Sequence, residues 1–239
     1  MNSHKSDELI AKASEVECLW DKQTPYEDIL NCVEKHSFGE MNEFYYEFKV
    51  NGPGKQPYSH KTILQKLKRY KCPSILVQDS NFQNSVASIN SSRLYNTIKI
   101  FARRQYCEEK KIQPQQGIEF IREISSILLD FHMGTVSGEF KVCDFYNEND
   151  IDWAPKCFNY YLTWMHFLHP SYYTKYLTRE DILGMPAQEI QEWENGIIQV
   201  QMFDHPFNYD TPENRQIIVE ASEYLNERHR IFRASQKNQ

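Results

Sequence analysis

The sequence predicts a mainly α fold, an irregular multi-helix domain with one minor two-stranded β element. Three observations carry that prediction. Apolar residues recur at helical spacing in most segments of the chain. Proline and threonine open several of these segments, and glycine or basic residues close them. Only 8 glycines are present, few for an architecture built from tight hairpins.

Taken in order, SDELIAKASEVECLW (6–20) and PYEDILNCVEK (25–35) read as two amphipathic helices joined by a turn, the second with Thr24 as its cap and Pro25 in its first turn. FYYEFKV (44–50), ending in NGPGKQP, and PSILVQD (73–79) are the two strand candidates. Between them HKTILQKLKRYK (60–71) is a helix with Ile63, Leu64, Leu67 and Tyr70 on one face. Residues 80–92 are uncharged and polar and read as a loop. A helix over 92–111 follows, with Leu94, Ile98 and Phe101 at helical spacing.

PQQGIEFIREISSILLDF (114–131) is apolar over a wide arc and is expected to be the central core helix. GTVSGEFKVCDFY reads as a short strand, and an aromatic helix is expected near 156–168. Thr178 caps a short helix over 178–184 with Asp181 completing a capping pair. Proline at its start and glycine at its end mark 186–196 as another helix. The last helix, 211–235, opens with Thr-Pro-Glu and closes on His229, Arg230 and Arg233, which suits its dipole at both ends.

The segments group as an acidic N-terminal helical part (1–50), a basic helical part (51–111) and an aromatic-rich helical core (112–239). With 239 residues, 40% of them hydrophobic and 14% aromatic, the chain is able to bury a sizeable core and is not a wholly disordered polymer. The six cysteines are scattered without a CxxC, as expected of free buried thiols. The start MNSHKSDELIAKASE has acidic residues and no apolar run, so no secretory signal is read and an intracellular location is expected.

Charge is unevenly laid out. Residues 51–111 hold twelve Lys or Arg against three acids, whereas the whole chain carries −6. A basic face is therefore a candidate for an anionic ligand, with Lys61, Lys66, Lys68, Arg69, Lys71, Lys99, Arg103 and Arg104 as the anion-binding residues. Interleaved aromatic rings would suit RNA or DNA. A solvated helix face, neutralised by the acidic ends of the chain, is the competing reading.

CFNYYLTWMHFLHPSYYT (157–174) runs eighteen residues without a charged side chain other than histidine. Its polar groups are too dense for a membrane span. Read as a helix, it buries one face, and Tyr160, Trp164 and Phe167, with Tyr172, Tyr173 and Tyr176 beyond, form a second set that docks internally or on a partner. FNYYLTWMHFLHPSYYTKYL (158–177) resembles the aromatic helical segment of Mediator's small conserved middle-module subunit, through Phe158, Tyr161, Leu162, Tyr173, Lys175, Tyr176 and Leu177. The resemblance covers about a tenth of the chain and stops at its flanks, so no family follows from it.

His166 and His169 share one face of that expected helix, but no third and fourth ligand stands at a metal-site spacing among Cys157, Asp204 and His205. Cys32 and His36 lie one turn apart, and without an orienting partner they read as a buried thiol beside a surface histidine. GPGK (52–55) lacks the spacing of a phosphate loop and reads as a turn. No GxSxG, HExxH or kinase motif is present, and no cofactor or metal is predicted. The expected function is a non-catalytic structural or adaptor subunit of a larger intracellular assembly, partnered by other protein subunits. The alternatives are a nucleic-acid-binding protein using 60–111 and an enzyme without a familiar motif.

Overall fold

A computed structural model describes residues 8–16, 20, 23–46, 56–69, 74–79, 84–91, 95–138, 162–209 and 211–237. It overturns the mainly α expectation. Ten strands are present among these residues, and every pair whose register is described is antiparallel. The chain divides into two compact units, Glu8–Gly134 and the part from Thr135 onward.

The first unit contains β1 (Glu8–Val16), α1 (Tyr26–His36), β2 (Glu43–Tyr46), β3 (Gln56–Pro57), α2 (His60–Arg69), β4 (Ser74–Asp79), β5 (Asn84–Ser91), β6 (Tyr95–Arg103), α3 (Arg104–Lys110) and α4 (Pro114–Ile127). The strand β7 (Phe131–Gly138) runs from this unit into the next. Strand order is β3-β2-β4-β5-β6-β1-β7. The two strands expected from the sequence do pair, as β2 with β4, yet they form a fraction of this sheet.

β1 shows why the helical reading failed. ELIAKASE consists mostly of good helix formers. It also alternates, and Leu9, Ala11 and Ala13 are fully buried while Ile10 and Lys12 are half-buried. Across the ladder they meet Ala102, Ile100 and Ile98 of β6. Burying that row against a neighbouring strand, with α4 packed on β1, outweighs a helix propensity worth tenths of a kcal/mol per residue. In β6 the signal was present as Thr97-Ile98-Lys99-Ile100-Phe101, β-branched and alternating. Within the expected loop at 80–92, Asn84–Ser91 is likewise a strand, β5, with Val86, Ala87 and Ile89 buried, and the rest lies outside the described residues.

The helices α1, α2 and α4 form where the periodicity placed them. α1 lies against both α2 and α4. The start of α1 has Pro25 at the cap position and no side-chain cap, so Thr24 does not take the role expected of it. Glu15, 2% exposed, accepts from the Trp20 indole N–H (2.6 Å), the Asn96 amide (3.2 Å) and the backbone N–H of Asp130 (3.1 Å).

The second unit contains β8 (Met165–Leu168), α5 (Pro170–Tyr173), α6 (Arg179–Leu183), β9 (Glu189–Glu192), β10 (Ile198–Gln201), a 3₁₀ turn at Pro206–Asn208 and α7 (Pro212–Gln236). Strand order is β7-β8-β10-β9. The aromatic helix expected near 156–168 is not formed by its last four residues, which are β8, and the residues before 162 lie outside those described. All four β8 side chains are buried, apolar Met165, Phe167 and Leu168 together with His166, as in a strand covered on both faces.

The helix expected at 186–196 is instead a hairpin strand and its turn. Gly196 takes φ +79°, its N–H bonds to the Trp193 carbonyl (2.9 Å), and the Trp193 N–H bonds to Ile197 (2.8 Å). Asn195-Gly196 ahead of Ile197-Ile198 is a hairpin signal that the proline-to-glycine pattern obscured. The capping pair of α6 is formed as expected, with Thr178 Oγ1 accepting from Asp181 N–H and Asp181 from Thr178 N–H. Thr211 caps α7 through the Asn214 N–H. Ile218, Ala221, Ser222 and Leu225 make the buried stripe of α7, and no described residue beyond Leu225 is buried.

Candidate functional site

The cleft of the second unit is built by three chain segments that converge on the amino end of α7. Pro186, Ala187 and Gln188 lead into β9, Phe203 and Asp204 follow β10, and Thr211, Asn214, Ile217 and Glu220 come from α7. Asn208 completes the lining, which encloses about 660 Å³.

Hydrogen bonds fix this frame. The Asn214 amide donates to the Asn208 carbonyl (2.7 Å), and the Asn208 amide donates to Asp204 Oδ1 (3.1 Å). The Phe203 carbonyl accepts both the Trp164 indole N–H (2.7 Å) and the Gln201 amide (3.0 Å), so the strand end under the cleft is held from two sides. Phe203 is buried and forms an apolar floor, while Asp204, Gln188 and Glu220 are exposed at the margins.

Electrostatically the cleft is acidic. No Lys, Arg or His is among its lining residues, and among the described residues neither Asp204 nor Glu220 makes an ion pair. The amino end of α7 adds about half a positive charge, partly spent on the Thr211 cap. Two full carboxylates outweigh it. The arrangement is suited to holding a cationic group over an apolar floor with amides beside it.

The residues singled out from the sequence are distributed otherwise. α2 carries Lys61, Lys66, Lys68 and Arg69, of which Lys68 comes within 4.0 Å of Glu27. Lys71 lies outside the described residues. Lys99 is half-buried in β6 opposite Lys12, Arg103 ends that strand, and Arg104 pairs with Glu108 at 3.0 Å in α3. The sheet thus brings Lys99 beside a lysine that the charge count over 51–111 did not include.

Of the aromatic set, Trp164, Phe167, Tyr172 and Tyr173 are buried in their own unit. Phe167 packs on Trp193 with ring centroids 5.3 Å apart, and Tyr172 meets Tyr176 edge-on at 5.8 Å. Tyr176 is half-buried, and Tyr160 falls outside the described residues. His166 and His169 are parted, because the first belongs to a strand and the second caps α5 through the Ser171 N–H. The GPGK turn is outside the described residues.

One group of metal-capable side chains is gathered among the described residues: Cys32 and His36 of α1 with Glu123 of α4. The expected surface histidine is in fact buried, and Glu123 is the orienting partner that sequence spacing does not reveal. The cleft residues were also missed. Their only trace in the sequence is FDHPFNYDTPEN, a polar, proline-containing approach to a capped helix.

The fold defined by these units is that of a two-unit, antiparallel-sheet protein with flanking helices. Among solved structures it is similar to the Pseudomonas aeruginosa T6SS protein PA0821, with a TM-score of 0.61 and 9% sequence identity over 92% of this chain and 74% of that one. No family model matches, and no curated protein matches by sequence, so the partial resemblance of 158–177 to a Mediator subunit gains no support. No helix among the described residues is long and apolar enough to cross a membrane.

Proposed function

We propose that this protein is a non-catalytic, partner-binding component of a protein assembly, and that the cleft of its second unit takes a positively charged segment of the partner. The observation that carries the reading is the pair of carboxylates, Asp204 and Glu220, lining the cleft with a buried Phe203 and with no ion pair to either among the described residues. A Lys or Arg side chain laid there keeps its stem on the ring and its charge between the acids. The exposed amide of Gln188 serves a backbone group of an extended segment.

The lining supplies no nucleophile and base in contact, and its acids are exposed, which favours cation binding over proton transfer. The likeness in fold to a T6SS protein supports partnership with other proteins. Fluorescence polarisation with a Lys/Arg-rich peptide and an acidic peptide of equal length tests the cleft directly. The basic peptide is expected to bind, to weaken as salt rises, and to lose about tenfold or more on combined Asp204→Lys and Glu220→Lys substitution. Equal behaviour of the two peptides, or indifference to the double substitution in a folded protein, would overturn the proposal.

A further inference from the structure

The first unit holds a second arrangement with its own chemistry. Cys32 and His36 are one helical turn apart and therefore share a face of α1. That helix packs on α4, which brings Glu123 against the same face. One ligand atom from each of the three side chains lies within 4.8 Å of the others. Cys32 is 1% exposed and His36 8%, while the Glu123 side chain is 35% exposed. His36 Nε2 is 2.9 Å from Glu123 Oε2, and the Phe120 ring meets the imidazole edge-on at 6.2 Å, which holds the ring in place.

We propose that Cys32, His36 and Glu123 form a binding site for a divalent transition-metal ion of the zinc class. Sulfur, nitrogen and carboxylate oxygen are the three donor types that zinc takes, and three protein ligands leave a fourth position for water. Bonds of about 2.0–2.3 Å require the donors to stand roughly 3.3–3.8 Å apart around a tetrahedral ion, so the cluster closes by about an ångström at its widest. The open position falls on the Glu123 side, where the cluster reaches solvent.

Lys35 brings a cation to the same cluster. Its ammonium rests on Glu123 Oε2 at 2.5 Å, the same oxygen that faces His36, and its side chain is 63% exposed. It stands where positive charge is wanted, and it is free to swing out when an ion arrives. A thiol nucleophile of the cysteine–histidine type is the competing use of such a trio. Cys32 does not suit it, being mid-helix and enclosed where no substrate reaches.

The test uses the full chain, stripped with chelator and titrated with Zn²⁺ against a chromophoric competitor, then with Co²⁺. One equivalent of zinc is expected, and cobalt should show thiolate-to-metal charge-transfer absorption in the near ultraviolet. Cys32→Ser should abolish that band and weaken zinc binding by about 100-fold or more, and Glu123→Gln by at least about tenfold. Lys35→Ala, which removes a competing cation, should tighten binding. Absence of stoichiometric binding to the folded wild type overturns the site, as does wild-type affinity in both ligand variants. Should Cys32→Ser fail to fold, Glu123→Gln and Lys35→Ala, whose side chains reach solvent, decide the matter alone.

Discussion

Lys12 of β1 stands directly opposite Lys99 of β6, two like charges paired across an antiparallel ladder. Burial, together with the Lys99 charge, pushes the Lys12 ammonium down to about 7. A directly opposed like-charge pair destabilises a sheet, and this one is half-buried as well.

From that pair follows a pH dependence on the alkaline side. The folded chain releases the Lys12 proton near 7, whereas the unfolded chain keeps it to about 10.5. Between those values the unfolded state binds more protons, so stability should rise with pH, by at most about 1.4 kcal/mol per unit for one group. Lys12→Met should raise the melting temperature at pH 7 and flatten the rise. Thermal melts from pH 7 to 10 check it, and an unchanged slope in the variant would count against the pairing.

His166 imposes the opposite boundary. It is wholly buried in β8, its Nε2 accepts from the Thr163 N–H at 2.7 Å, and its Nδ1 has no hydrogen-bond partner among the described residues. Burial is the main cause that lowers its pKa to about 4. The unfolded chain takes up this proton near 6.5 and the folded chain resists it until about 4. Stability should therefore be complete above 6.5 and be lost as pH falls toward 4, by on the order of 3 kcal/mol. Denaturant midpoints at pH 7 and 4.5 should converge in His166→Phe, which cannot take a proton.

Gly138, at the end of β7, should tolerate no side chain. A Cβ there would stand 2.5 Å from the Pro206 carbonyl oxygen, a backbone atom that cannot step aside. Gly138→Ala is expected to cost about 1–3 kcal/mol, read from the denaturant midpoint.

Glu15 ties three donors together in the first unit. Glu15→Leu would leave the Trp20 indole, the Asn96 amide and the Asp130 N–H without that acceptor. At about 1–3 kcal/mol for each buried group left unsatisfied, the loss should exceed that of an ordinary core substitution. Glu15→Gln, which keeps an acceptor oxygen, should recover part of it.

What the sequence determined by itself was local. Helices α1, α2, α4 and α7, the α6 capping pair and the pairing candidates β2 and β4 were readable because periodicity, caps and breakers act within a few residues. Strand β1 was decided by its neighbours. Its alanines and lysine favour a helix until Ile98, Ile100 and Ala102 stand opposite to bury them, and those partners lie some ninety residues away. Separation along the chain, shorter at the cleft than at the metal cluster, hid both sites. Asp204 and Glu220 flank one cleft because a turn and a long helix are folded against a strand end, and Glu123 reaches Cys32 and His36 only because α4 packs on α1. Contacts between residues far apart in the chain leave no periodicity to read, and in this protein it is those contacts that gather the chemistry.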